Sequence, residues 1–355
     1  MEGSVRKAGN RVRITAQLIN TSDGYHVWSE NFDRDITDIF EVQDEISSII
    51  VNKCRVNLSA KEHEEKILKA PTQNLDAYTL YLKGLHFYNK ITPKNVKKAI
   101  EFFENAIALE PAYAQAMTMA AQAYAFLGAT GQMQPGEAFA VVHKYSDKAI
   151  HLDGSLSEGY TAKGSAYLLY DWKWKEAFES LSKAIELNPV FDAHQLLSFY
   201  YRITGRKNEA VDIMKKALKA DPLSPIVNKA LTDAYMITGR TDDALKQAES
   251  LLDMHPQMRI AMELKGWCIG AKGDWKKALE IFEEVHRSVK HPLKGLAPMA
   301  CAYAKLGERE KALECIRKIE QWQAEEPGVV VDADLAMIWI SLGNGQSISS
   351  FISMR

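Results

Sequence analysis

The amino-acid sequence predicts a mainly α protein, a right-handed α-solenoid of about seven helical hairpins preceded by a small, incomplete α/β domain. Two observations carry this expectation. The stretch KKAIEFFENAIALEP, Lys97 to Pro111, returns in outline as KEAFESLSKAIELNP, NEAVDIMKKALKADP and DDALKQAESLLDMHP, which end at Pro189, Pro222 and Pro256. Each copy is a helix with one apolar face, stopped by a proline that has no N–H to continue the ladder. Residues 12–18 instead alternate apolar with polar side chains, the period of a strand with one buried face.

The strands come first. Val12, Ile14, Ala16 and Leu18 alternate with Arg11, Arg13, Thr15 and Gln17. Ala8-Gly9-Asn10 supplies a turn before them and Ser22-Asp23-Gly24 another after them, leading into YHVWSENF at 25–32. Three antiparallel strands follow. Asp38 and Glu41 then make a capping box for a helix from Asp38 to Asn57, with Ile39, Val42, Ile46, Ile49 and Val56 on one face. Residues 1–58 so form a thin domain and 59–76 a helical linker. One helix can cover a face of a three-stranded sheet but cannot pair its edge, so association through residues 1–36, with a second copy or an upstream segment, is expected.

The array occupies 77–343. Its marker alanines are Ala99, Ala177, Ala210, Ala244, Ala278 and Ala312, separated by 78, 33, 34, 34 and 34 residues. The long gap holds two repeats, with Val142 in the alanine place. Ala210 and Ala244 should be buried where helices cross. Before each marker helix lies a second apolar pattern, as in AQAMTMAAQAYAFLG (114–128) and PIVNKALTDAYMITG (225–239). Small residues mark the crossings, Gly84, Ala121, Gly164, Gly266 and Ala300, each followed three positions later by a bulky one. Gly128, Gly205, Gly239, Gly273 and Gly307 are placed to end the first helices. Extra residues near Thr92-Pro93 and between Gly131 and Gly136 should bulge. Trp172, Trp174 and Trp275 are expected to cover the inter-helix turns, with Asp171 and Asp274 as N-caps. VVDADLAMIWISL (330–342) reads as a first helix, whereas GNGQSISSFISMR replaces the charged second helix, so 344–355 is expected to be an irregular tail.

This pattern closely resembles the tetratricopeptide repeat over roughly residues 77 to 340. Its small-residue, aromatic, Ala, Phe and Pro positions are Gly84, Phe87, Ala99, Phe103, Ala106 and Pro111 in the first unit, and Gly164, Tyr167, Ala177, Leu181, Ala184 and Pro189 in the third. The opening string, EGSVRKAGNRVRITAQLINTSDGYHVWSENFDRDITDIFEVQDEI, is similar to the later half of the TolB-like domain that bacteria place before such arrays. The likeness implies a regulatory or scaffolding module. In that family the combination often follows a class III nucleotide cyclase or a winged-helix DNA-binding domain, and none of those catalytic or DNA-reading residues occur here.

Composition narrows the function. The chain has 355 residues, 46% of them apolar, and its 44 basic residues nearly cancel 46 acidic ones. No broad cationic field exists for nucleic acid or anionic lipid, and neither partner is expected. Cys54, Cys268, Cys301 and Cys315 form no CxxC pair, so no metal and no disulfide framework is signalled and a reducing, cytoplasmic setting fits best. No apolar run is long enough for a membrane span or signal peptide. No nucleotide-binding, nucleophile-elbow or zinc-protease motif is present, and His63-Glu64-Glu65 lacks the second histidine. The expectation is a non-enzymatic protein without a cofactor.

The resemblance implies a binding face instead. In tetratricopeptide arrays the first helices line a concave groove, and the aligned positions here are Gln122, Thr161, Ser165, Gln195, Phe199, Arg202, Lys229, Asp233 and Trp267. Amides, charges and aromatic rings in that mixture suit an extended peptide or a partner helix. Members that grip a C-terminal carboxylate use Lys and Asn where this chain has Thr118, Gln122, Thr161 and Ser165, which argues against that ligand. A second reading is the regulatory part of a signalling enzyme such as a nucleotide cyclase, and a third is a TolB-like envelope component.

Overall fold

The computed structural model describes residues 2–9, 11–19, 25–35, 72–189, 191–288, 295–325 and 331–343, together with Ile46, Ile49 and Leu293. Among the described residues it contains three strands and fifteen α-helices. The chain divides into two compact units, residues 1–162 and 163–355.

The first unit opens with the antiparallel sheet expected from the alternation. Strands β1 (Glu2–Ala8), β2 (Arg11–Ile19) and β3 (His26–Asp35) lie in the order β1-β2-β3. Gly9, at φ 62°, makes the tight turn between the first two. In register, Ile14 faces Phe32 and Leu18 faces Trp28 across β2 and β3. Val12, Ala16 and Phe32 are buried, and the opposite face carries a bidentate Arg13–Asp33 pair. The capping box at Asp38 and Glu41 lies outside the described residues. So does the second strand turn, and so does most of the helix expected over 38–57, of which Ile46 and Ile49 are helical.

Helical hairpins follow in the first unit. They are α1 (Leu75–Tyr88) with α2 (Pro93–Leu109), and α3 (Ala114–Ala129) with α4 (Pro135–Leu152). Asn74 caps α1 by accepting from the Asp76 and Ala77 amides, and Thr92 caps α2, whose first residue is Pro93. The insertion before α4 is a short loop turned by Gly131 at φ 68°. Gly128 is inside α3, packed against Ala138 and Phe139, so Gly131 rather than Gly128 supplies the left-handed turn. α5 (Ser157–Ala166) begins the next hairpin and runs on into the second unit.

In the second unit a π-turn, Tyr167–Asp171, links α5 to α6 (Trp174–Leu187). Next come α7 (Phe191–Ile203) with α8 (Lys207–Ala220) and α9 (Pro225–Ile237) with α10 (Thr241–Met254). After these stand α11 (Arg259–Ala271) with α12 (Trp275–Ser288), α13 (Leu296–Lys305) with α14 (Arg309–Glu325), and the single helix α15 (Asp332–Ser341). Every marker alanine, and Val142 in its place, is fully buried. Gly205, Gly239, Gly273 and Gly307 all adopt the positive φ that ends a first helix. The expected tail over 344–355 lies outside the described residues.

Of the two aromatic turns, one meets the expectation and one does not. Trp275 does cover its turn, with its indole against Gly270, and Asp274 caps α12 by accepting from the Lys277 amide. Trp172 is 67% exposed at φ 58°, and Asp171 belongs to the π-turn instead of capping α6. An extra residue in the last turn of a helix shifts the register of everything after it, which pushes Trp172 outward.

Candidate functional site

The nine candidate positions fall on first helices, but packing treats them differently. In the first unit Gln122 is half-buried on α3. Thr161 is buried, and its hydroxyl donates to the Ser157 carbonyl at 2.9 Å, the back-bond typical of threonine inside a helix. In the second unit Ser165 is also buried. Trp267 packs inward, 5.2 Å between ring centres from Phe282 and 6.3 Å from Trp275. Its indole fills the space beside the α11–α12 crossing.

Of the remaining five, Gln195, Arg202 and Asp233 line one recess, while Phe199 lies beside Arg202 and Lys229 beside Asp233. α7 presents Gln195, Phe199 and Arg202 one turn apart, because residues three and four apart share a helix face. α9, the first helix of the next hairpin, carries Lys229 and Asp233, of which Asp233 lines the side toward α7. A recess of about 210 Å³ opens between them, lined by Gln195, Ser198 and Arg202 of α7, Met214 of α8, and Ala230, Asp233 and Met236 of α9. Small residues make it possible, since Ala230 and Ala234 leave room where larger side chains would close it.

The electrostatics of the recess are lopsided. Lys229 and Asp233, one turn apart, form an ion pair at 2.5 Å. Arg202 lies over the Phe199 ring, 5.4 Å from its centre. Partial burial draws the Arg202 guanidinium below its ordinary pKa, and the Asp233 charge opposes that shift without cancelling it. Ser198 is not available to a ligand as a donor, because its hydroxyl is spent on the Ala210 carbonyl at 3.0 Å. Gln195 is exposed at the mouth.

Other polar groups are structural. Tyr124 and Tyr145 both donate to Glu104, at 2.8 and 3.3 Å, and Tyr303 donates to Glu283 at 3.2 Å. Glu104 and Glu283 each follow the large residue, Phe103 or Phe282, that packs at the crossing. Tyr124 and Tyr303 come from the next first helix and Tyr145 from the next second helix, so each bond joins successive hairpins. Sequence spacing contains this Glu–Tyr pair, but only the fold brings its members together. The Cys268 and Cys301 thiols are both pushed up to about 11, by burial first. Among the described residues no group of three potential metal ligands occurs, and no helix is long and apolar enough to cross a membrane.

Comparison with known proteins agrees with the hairpin architecture. Family models described as tetratricopeptide repeat match residues 230–288, 191–222 and 299–326. A tetratricopeptide repeat protein from Parabacteroides merdae ATCC 43184 is similar in structure, with TM-score 0.51 at 16% identity over 75% of this chain and 99% of that one. The Cut9-Hcn1 hetero-tetramer of the APC/C matches with TM-score 0.50 at 15% identity, covering 78% of this chain and 54% of that one. Likeness at such identities concerns the fold alone. Among curated proteins, one of Rhizobium meliloti (strain 1021), described as adenylate cyclase 3, is 36% identical over 116 residues, 33% of this chain and 20% of that protein. The transcriptional regulator HilA of Salmonella typhimurium is 23% identical over 273 residues, 72% of this chain. The chain spans 47% of the length of HilA, so it matches less than half of either relative.

Proposed function

We propose that the tetratricopeptide repeats of this chain serve as a protein-interaction module, in which the faces of α7 and α9 receive an extended segment of a partner protein. The observation that carries this reading is the recess between two successive hairpins where Gln195, Arg202 and Asp233 meet. Proteins built from these repeats bind proteins or peptides, and the fold is generally a scaffold and not an enzyme. Phe199 offers an aromatic anchor and Gln195 an exposed amide for a partner's backbone, the combination that peptide grooves use.

Site-specific photo-crosslinking tests it. A photoreactive residue at Gln195 should yield a discrete crosslinked product in the cell of origin, and the same residue at Lys215, on the second helix α8, should not. Equal crosslinking from both positions, or none from Gln195, overturns the reading.

A second reading is favoured by the relatives: the chain is the regulatory part of a larger signalling protein. The matched portions of the adenylate cyclase and of HilA are fractions of longer chains, and the opening strands resemble half of a TolB-like domain. Sequencing the DNA upstream of the Met1 codon decides it. An in-frame catalytic or DNA-binding domain supports this reading, an in-frame transmembrane helix points to the envelope instead, and a stop codon close upstream rejects both.

A further inference from the structure

Arg202 differs from the arginines around it. Arg206 donates to Glu209 at 2.8 Å, Arg240 pairs with Asp243 at 2.7 Å and Arg259 pairs with Glu263 at 2.7 Å, each within a turn of its own helix. Among the described residues the Arg202 guanidinium has no ion pair and no hydrogen bond, and its Nε–H is buried without an acceptor. The carboxylate whose charge it feels, Asp233, is held by Lys229. Arg202 and Asp233 line the recess, and Lys229 already pairs with Asp233, which leaves the Arg202 charge unmatched.

A partly desolvated cation that lacks an anion and a hydrogen-bond acceptor is unfavourable, and a donor left unpaired on burial costs more than its pairing gains. Such an arrangement is stable in isolation but incomplete, and an arriving anion removes the penalty. Guanidinium geometry also prefers a planar, two-oxygen acceptor, which a carboxylate provides. At about 210 Å³ the recess is small, below the ~300–1,000 Å³ of pockets that hold drug-sized molecules. It has room for one side chain, whose methylene stem would meet Met236 and Ile237 on the α9 wall.

We infer that the recess takes one acidic side chain, Asp or Glu, of a partner segment lying across α7 and α9, with its carboxylate on Arg202. The inference rests on the docking reading above and specifies what the docked segment must contain. Asp233 cannot play the complementary part for a basic partner residue without first releasing Lys229. Charge at the site therefore selects for acid over base.

Selection from a library of random linear peptides displayed on phage tests the inference, using the full chain, Arg202→Gln and Arg202→Glu as baits. The unaltered chain should enrich peptides with Asp or Glu over Asn or Gln at one fixed position by roughly tenfold, the scale of one charge-assisted hydrogen bond. Arg202→Gln should lose that preference, and Arg202→Glu should replace it with Lys or Arg at the same position. Both variants are checked for unaltered thermal unfolding, and if the charge reversal fails to fold, the neutral variant carries the comparison. A synthetic copy of a selected peptide with an amidated C-terminus should bind as well as the free acid, which separates a side-chain carboxylate from a chain end. Peptides enriched without an acidic preference, an acidic preference retained in Arg202→Gln, or binding lost on amidation each overturn the inference while leaving groove docking intact. Enrichment of no peptide overturns both.

Discussion

The Cε1 atom of Phe282 lies 2.5 Å from the point that a Cβ on Gly266 would occupy. Phe282 belongs to α12 and is fully buried, and Gly266 belongs to α11, so the ring of one helix fills the gap left by the other. The same arrangement joins Leu181 to Gly164 and Phe103 to Gly84. This is the contact that fixes the angle within each such hairpin, because backbones approach closely only where no side chain intervenes.

Gly266→Ala should therefore destabilise the chain although alanine is the better helix former. The helix interior gains about 0.8–1.0 kcal/mol from losing a glycine, while overpacking a tight crossing costs about 1–3 kcal/mol. Phe282 has no exposed side to swing toward. Urea unfolding should show a lower midpoint for Gly266→Ala, and an equal or higher midpoint would mean that the crossing is looser than its geometry.

Trp172→Gly should be nearly silent. Trp172 is exposed, and its left-handed backbone costs a non-glycine residue about 1–2 kcal/mol. Glycine removes that strain and forfeits the edge contact with Trp174, at 5.5 Å between ring centres, worth about 0.5–1.5 kcal/mol. The two nearly cancel, so the thermal midpoint should hardly move. A tryptophan packed over the turn, as sequence spacing suggested, would instead cost about 3–5 kcal/mol on truncation, and a large fall in midpoint would restore that view.

The contrast between these two positions shows what was legible in the sequence. Ala99 through Ala312 and the glycines after first helices were legible, because a repeat imposes the same steric demand at every copy and the period exposes it. The alternation at Val12 to Leu18 was legible for the same kind of reason, a two-residue period set by backbone geometry. The π-turn at Tyr167–Asp171 was not, since one residue more or less in a helical turn leaves the local composition unchanged. Gly128 was misplaced because the insertion after it offers a second glycine, Gly131. Five of the nine groove positions gather on α7 and α9, whereas Thr161, Ser165 and Trp267 are drawn into packing. Which way a half-apolar position turns depends on the neighbouring hairpin, and that information is not local. The isolation of Arg202 was equally hidden, because a missing partner shows only when the surroundings are known.

Alkaline pH should weaken the fold through its tyrosines. Burial first, and then the charge of Glu283 and the hydrogen bond to it, push Tyr303 up to about 12. Burial does the same for Tyr81, also to about 12. An unfolded tyrosine titrates near 10. A folded pKa above the unfolded one means that the neutral phenol is favoured in the fold, so this stability is fully present below about pH 10 and is lost as pH rises toward 12. Urea midpoints measured from pH 8 upward should be level to about pH 10 and then fall. Tyr303→Phe should make the fall shallower, and a midpoint that rises across this window would contradict the account.

The central claim is that α7 and α9 form the docking face, and amide hydrogen exchange with and without a bound peptide from the phage selection tests it most directly. Binding across the recess should slow exchange in residues 195–203 and 229–237, the first helices that carry Arg202 and Asp233. Residues 207–220 of α8, of which only Met214 lines the recess, should exchange as before. Slowed exchange confined to α8 or to another hairpin, with 195–203 unchanged, would place the partner elsewhere and contradict the account.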